Sequence, residues 1–269
     1  MNVHRSVIAL LGLLAIAGCG GGSSSKTTAT TPRPSGEEAK SAKQILADVS
    51  NALGRVRSYH AEGTQTDKEG LSHLVVDVSD AGDGRFRLDL GKQSTRLITT
   101  GGQTFINANS AFWIAHGGDA GPRVAQLLAD RWVKVPASMR ADLTATLDKL
   151  KPTTLAHCLT QSTGTVTKVG TTSVDGKRVV VLADKGDRPG GSPGRLYVAA
   201  SGPPLPVREE QTGPQRAGVT DKRCDDPSST TKRSDVHLSG FDRPLHITAP
   251  RGALDLNQLI RAGGGTSQS

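Results

Sequence analysis

Aromatic residues are scarce: the 269-residue chain holds four Phe, two Trp and two Tyr, 3% of its length. Proteins that grip single-stranded nucleic acid stack bases on aromatic rings. This scarcity, with basic residues scattered and not striped, excludes nucleic acid as the expected partner despite a net charge of +8. A membrane-spanning run is missing from the start of the chain. Val7 to Ala17, preceded by His4 and Arg5, is apolar, but a spanning helix needs about 20 such residues to cross about 30 Å of hydrocarbon. The run fits the core of a secretory leader instead. Catalytic signatures are missing as well, with no nucleophile elbow, no HExxH and no Gly-rich loop set between a strand and a helix. Ser, His and Asp are plentiful, but a triad is defined in space, so no catalytic residue and no cofactor is expected. His60, His73, His116, His157, His237 and His246 form no close pair at ligand spacing and no CxxC occurs, so no metal site is expected either.

Cysteine is the next scarcity, with three in all, and the first is placed tellingly. Ile16-Ala17-Gly18-Cys19 closes the apolar run and resembles the bacterial lipobox, in which small residues admit the peptidase and the cysteine sulfur becomes a thioether to diacylglycerol. This implies removal of residues 1–18, lipidation of Cys19 with acyl chains such as palmitate, and a protein anchored on the extracytoplasmic face of the cell membrane. Two or three acyl chains, at about 0.8 kcal/mol per buried methylene, hold a protein at a bilayer nearly permanently where one does not. The stretch that follows, residues 19–36, is rich in Gly, Ser, Thr and Pro. It reads as a flexible tether with a root-mean-square reach of roughly 20–25 Å. Arg5 is the only charge in the leader, so +7 remains after it, a sign that suits an anionic membrane face. Cys158 and Cys224 are then the only thiols left. In an oxidising compartment two such thiols usually pair, closing a loop of about 65 residues and stabilising the fold by roughly 4 kcal/mol in the chain-entropy model. Two free thiols or an intermolecular link are the alternatives.

From residue 37 to residue 260 the chain has the length for one folded domain, with a flexible tail at 261–269. Ser35-Gly36-Glu37-Glu38 has the capping-box pattern, and Ala42, Ile45, Leu46, Val49, Ala52 and Leu53 recur at helical spacing, predicting a helix over 37–53. The period then becomes two. Strands are expected at 59–64, 71–79 and 85–90, the last alternating Arg85, Arg87 and Asp89 with Phe86, Leu88 and Leu90 as a sheet wet on one face requires. A hairpin follows at 95–99 and 103–107. Helices are expected at 123–130 and at 141–151, where Pro152 stops the second, with a brief extended piece at 131–136 between them. Strands resume at 165–172, 177–184, 195–200, 205–211, 235–241 and 245–248, with a polar loop over 212–233. About ten strands with helices grouped instead of alternating give an α+β fold on a large curved antiparallel sheet.

Taken in order, "SAKQILADVSNALGRVRSYHAEGT", "STRLITTGGQTFINA", "RWVKVPAS", "GTVTKVGTTSVDGKRVVVLAD", "GRLYVAASGPPLPVREE" and "DVHLSGFDRPLHITAP" resemble the LolA-like lipoproteins, and within them the LppX/LprG type. The resemblance implies a half-barrel with helices packed in its concave face, an apolar cavity between the layers, and a lipid or lipoprotein ligand carried or accepted there. The stretch 110–129 and the loop 212–233 depart from the family in being longer. Independently of the resemblance, a concave sheet must be filled by helices, by ligand or by both. Leu46, Val49, Ala52 and Leu53 of the first helix, Leu143 and Leu147 of the later one, and Leu88, Leu90, Leu97, Phe105, Phe112 and Trp113 on the wall are the candidate ligand contacts. A monomer is expected. The competing expectation is an envelope sensor or interaction module on the same scaffold with a small or collapsed cavity.

Overall fold

The structure, a computed structural model, describes residues 36–218, 221, 223–224 and 231–258. Cys19, the leader, the tether as far as residue 35 and the tail 261–269 lie outside these. No helix of the described residues is long and apolar enough to cross a membrane.

One open sheet organises the chain. Its strands are β1 Ser58–Thr66, β2 Leu71–Ser79, β3 Gly84–Leu90, β4 Gln93–Thr100, β5 Gln103–Ala108, β6 Val133–Lys134, β7 Val166–Val174, β8 Lys177–Asp184, β9 Gly194–Ala199, β10 Pro206–Gln211, β11 Arg233–Ser239 and β12 Leu254–Asp255. They lie in the order β12-β6-β5-β4-β3-β2-β1-β11-β10-β9-β8-β7, a 12-stranded sheet with β7 and β12 as free edges. Every pairing is antiparallel except β12 with β6. The two-residue strands β6 and β12 account for the excess over about ten. Leu245–Thr248, expected as a strand, is coil. That segment leaves β11 and runs along the end of the sheet toward β12, held where Ser58 Oγ donates to Arg243 O at 2.6 Å and Thr100 Oγ1 to Ile247 O at 3.1 Å.

Period-two patterning sorts the faces. Across β1, β2, β3 and β4 the register sets Ala61, Val76, Phe86 and Leu97 side by side on the inner face. Arg85, Arg87 and Arg96 take the outer face, which is wet. Glycines let the strands close in where the sheet bends: a Cβ on Gly63 would lie 2.1 Å from Asp235 O, and one on Gly194 2.1 Å from Glu210 O. Glycine in a strand interior commonly marks such a close approach or bend.

Five α-helices, α1 Ala42–Leu53, α2 Ser110–His116, α3 Gly121–Leu128, α4 Ala137–Lys149 and α5 Pro152–Ser162, accompany two 3-10 turns. The capping box exists, but six residues later than expected, at Ser41 and Gln44. Ser41 Oγ accepts from Gln44 N at 3.3 Å while Ser41 N donates to Gln44 Oε1 at 2.9 Å. Ser35 lies outside the described residues; Gly36–Ala39 is a 3-10 turn that starts at φ +59°, and Glu38 accepts from Arg178 Nε. Pro152 does not simply stop a helix. After α4 ends it stands at the first turn of α5, where its missing N–H costs nothing because that donor has no helical acceptor. Ser110–His116, part of the stretch expected to be longer than in the family and given no element there, is a helix capped by Asn109, whose side chain accepts from Phe112 N at 3.1 Å.

The inner face carries three apolar clusters. Ile45, Val49 and Leu53 of α1 and Ala156 of α5 meet Val180, Leu182 and Val198. Tyr59, Ala61, Val76, Val78 and Leu238 form the middle. Leu128 of α3 meets Leu97, Ile106, Val133 and Val135 at the far side.

Candidate ligand cleft

Where α1 and α5 lean on β7 to β10, the layers part into a cleft of about 300 Å³, at the small end of the about 300–1,000 Å³ common for ligand pockets. Leu46 of α1, Leu159 of α5, Val166 of β7, Leu182 of β8 and Leu196 of β9 supply its apolar wall. Thr163, Asp184, Ser192, Arg195, Glu209, Glu210, Gln211 and Gln215 supply a polar share about as large. The expected cavity was apolar; the cleft is mixed.

The polar groups are not equivalent. Asp184 is occupied by the backbone, accepting from Gly186 N at 2.8 Å and Gly164 N at 3.2 Å. Glu210 accepts from Tyr197 Oη at 2.7 Å and pairs with Arg208 at 2.6 Å. Arg208 in turn holds Asp235 through two hydrogen bonds of 2.8 and 2.7 Å, keeping that carboxyl below its usual range. Glu209 is the exception. Its cross-strand neighbours are Leu196 and Val236, and its carboxylate forms no hydrogen bond or ion pair with the described residues. Its side chain reaches solvent through the cleft, yet the protein around it removes enough water to push its pKa up. Glu209 also adds, after burial itself, to the upward push on the hydroxyl of Tyr59, which donates to Leu150 O at 2.6 Å.

Two loops rim the cleft and hold one another. Gly190 N donates to Arg216 O at 2.7 Å, Arg216 N to Gly191 O at 2.8 Å, and Gln215 Nε2 to Gly190 O at 2.8 Å. Further along, the second loop is clasped to α5. Cys224 is disulfide-bonded to Cys158, with Cα atoms 5.3 Å apart, and His157 Nε2 lies 2.7 Å from Asp221. The Arg223 guanidinium, then His157, hold the Asp221 carboxyl far below the usual range. His157, Asp221 and Cys224 lie within 4.8 Å of one another as a metal site requires. The sulfur, however, is bonded to Cys158 and the carboxylate is occupied by Arg223, so the trio works as a clasp.

Of the residues proposed from sequence as ligand contacts, Leu46 lines this cleft. Val49, Ala52 and Leu53 of α1 are buried, as are Leu97 and Leu147. Phe112 and Trp113 pack half-buried against the α3 cluster, and Leu88 and Leu90 lie half-buried on β3. Phe105 requires a correction. It sits opposite Ile98 on β4, one residue out of phase with the inward Ile106, and so faces away from the concavity. Leu143 lies in α4 with its surroundings outside the described residues. The lining from β9, β10 and α5 was not expected. The only signal for it was Glu209, a second consecutive acid where alternation calls for an apolar residue.

No nucleophile elbow was expected, yet the spacing G-x-S-x-G does occur, at Gly190-Gly191-Ser192-Pro193-Gly194, and Ser192 lines the cleft. It occupies the turn between β8 and β9, without the helix that follows a nucleophile elbow, and no histidine is among the cleft's lining residues.

No family model matches the chain, and no curated protein matches it. Solved structures do. LprF from Mycobacterium bovis is 20% identical, with 78% of this chain and 97% of that one covered at a TM-score of 0.48. The Mycobacterium tuberculosis lipoprotein LppX is 14% identical, with 77% and 99% covered at 0.45. MucB in its Pseudomonas aeruginosa complex with MucA is 16% identical, with 78% and 61% covered at 0.38. The structures similar to this chain thus include LppX, in keeping with the resemblance drawn from sequence, but likeness at this level assigns no ligand, partner or residue role.

Proposed function

We propose that the protein is a lipid-anchored envelope lipoprotein whose folded domain, residues 37–260, binds a lipid or acylated molecule through its chain in the cleft between α1, α5 and β7 to β10, and serves as a carrier or acceptor. The observation that carries the reading is the unfilled space beside Leu46, Leu159, Val166, Leu182 and Leu196, where helices and sheet part. At about 25 cal/mol per Å², burying 200 Å² of alkyl surface contributes about 5 kcal/mol before association costs. The size of the cleft favours one chain over several. Anchorage through Cys19 supports the reading by keeping the domain within roughly 20–25 Å of the bilayer on its tether.

The test is Leu46→Trp, which fills the cleft from a half-buried position. The expected result is loss of binding of a fluorescent acyl probe with an unchanged unfolding midpoint. Probe binding that survives the substitution sinks the assignment. A parent protein that never binds the probe favours the second reading, an interaction module, which draws on the half-polar lining.

A further inference from the structure

We propose that Glu209 makes the cleft selective for amphiphiles with a cationic, amine-bearing head. The inference rests on the cleft holding an alkyl chain and adds the chemistry of the head. Each other carboxylate on the lining has protein partners, Asp184 two backbone N–H groups and Glu210 a tyrosine and an arginine. Arg208 is held by Asp235 and Glu210, whereas Arg195, exposed on the cleft lining, has only a 3.8 Å approach to Glu210. Gln211 Nε2 is turned to Gly213 O and Thr231 O at 2.8 and 3.0 Å. One acceptor-only group therefore stands on the inner face between Leu196 and Val236 with no donor from the described residues. A ligand that brings a positive charge and N–H donors to the cleft gives this carboxylate the partner that the described residues do not supply. Charge-assisted N–H to carboxylate bonds are among the stronger ones available. A phosphate or carboxylate head brings like charge to the same point and is repelled. The leucines of α1, α5, β8 and β9 then take the chain, with the head toward β10.

The experiment is calorimetric titration of the purified chain with decylamine, decanol and decanoate, all below their aggregation concentrations, on the parent, Glu209→Gln and Glu209→Asp. Decylamine is expected to bind the parent at least about tenfold more tightly than decanoate, as a charge-assisted bond implies. Glu209→Gln is expected to remove that preference while leaving decanol affinity within about twofold, since the chain contacts are untouched. Glu209→Asp, which keeps the charge, is expected to keep the preference for decylamine. Decylamine binding that is unchanged in Glu209→Gln, or no stronger than decanoate in the parent, overturns the head assignment. If decanol binds while no head preference appears, the alkyl cleft stands and this inference alone fails. If no probe binds, both fail together.

Discussion

The two ends of the sheet solve the same packing problem differently. Under α2 and α3, the inner face of β4 to β6 is covered by Leu128, Val124, Phe112 and Trp113, and Leu97, Ile106 and Val133 are buried. Trp113 fits without a stranded donor, because its Nε1 gives a hydrogen bond of 3.1 Å to Ala108 O. Under α1 and α5, the inner face of β8 and β9 is covered by Ile45, Val49 and Ala156, and beside them Leu46, Leu159 and Leu196 remain half-buried around open space. No aromatic side chain lines that space. Phe112 and Trp113 fill the first end; at the other, Phe241 packs against the α1 cluster without reaching the cleft, and the aliphatic residues stop short of filling the concavity. Aromatic scarcity, first read as excluding a class of partner, thus also helps to place the cleft.

The largest expected effect tests whether the clasp belongs to the open end alone. Cys158 and Cys224 are 66 residues apart, and removing the bond with a Cys158→Ser/Cys224→Ser pair should lower global stability by roughly 4 kcal/mol in the chain-entropy model. Before global unfolding, amide exchange should rise at 185–193 and 212–218, which share the cleft rim, and stay unchanged over 104–108 and 133–135. Equal acceleration at both ends would show that the clasp supports the whole sheet.

Truncation should separate the ends next. Leu128→Ala empties a site buried in the α3 cluster and is expected to cost about 3 kcal/mol, within the usual range for cavity-forming substitutions. Leu159→Ala trims a residue already beside open space and should cost about 1 kcal/mol, the transfer share with little added cavity. Denaturant midpoints at matched slopes measure both, and equal costs would erase the contrast. Enlargement gives the converse. Val133→Trp should lose about 1–3 kcal/mol or more by overpacking, against no measurable loss for Leu46→Trp.

How much of this was legible in the residues depends on how local the signal is. Leu71–Ser79 and Lys177–Asp184 were read to the residue because alternation and Gly-containing turns decide them locally. The pairing of Cys158 with Cys224 followed from counting thiols. α5 was missed because Pro152 is equally good as a stop and as a first-turn residue, and its Leu155, Ala156 and Leu159 stripe was hidden by that ambiguity. β6 and β12 have two residues each and exist only through their partners. The capping box was misplaced since Ser35-x-x-Glu38 and Ser41-x-x-Gln44 are equivalent as patterns, and only the fold, which opens α1 after Ser41, decides between them. The cleft is the least legible feature. Whether an apolar residue is core or lining depends on where helices end over the sheet, and of twelve proposed contacts the one that lines it, Leu46, sits at the margin of the α1 stripe.

The smallest effect concerns Glu209, and its sign distinguishes it from the other shifted carboxylates. Burial raises the Glu209 pKa above its ordinary value of 4.5, so the folded state holds this proton more tightly than the unfolded chain does. Its contribution is therefore most favourable below pH 4.5 and declines as pH rises through the folded value. Asp235 and Asp221 run the other way. Arg208 and Arg223 respectively depress them, so their contribution is present above the ordinary value of 3.8 and declines as pH falls through the folded values. The windows do not overlap, and the groups facing Glu209, Tyr59 from β1 and Asp184 from β8, stay on the inner face in both variants. Subtracting the urea midpoint of Glu209→Gln from that of the parent between pH 4 and pH 7 should then leave a difference that turns against the parent as pH rises. With decylamine bound, the carboxylate has a cation beside it, its pKa falls back toward the ordinary range, and the slope should shrink. A slope that decylamine leaves untouched would place the amine away from Glu209 and return the cleft to recognising the chain alone.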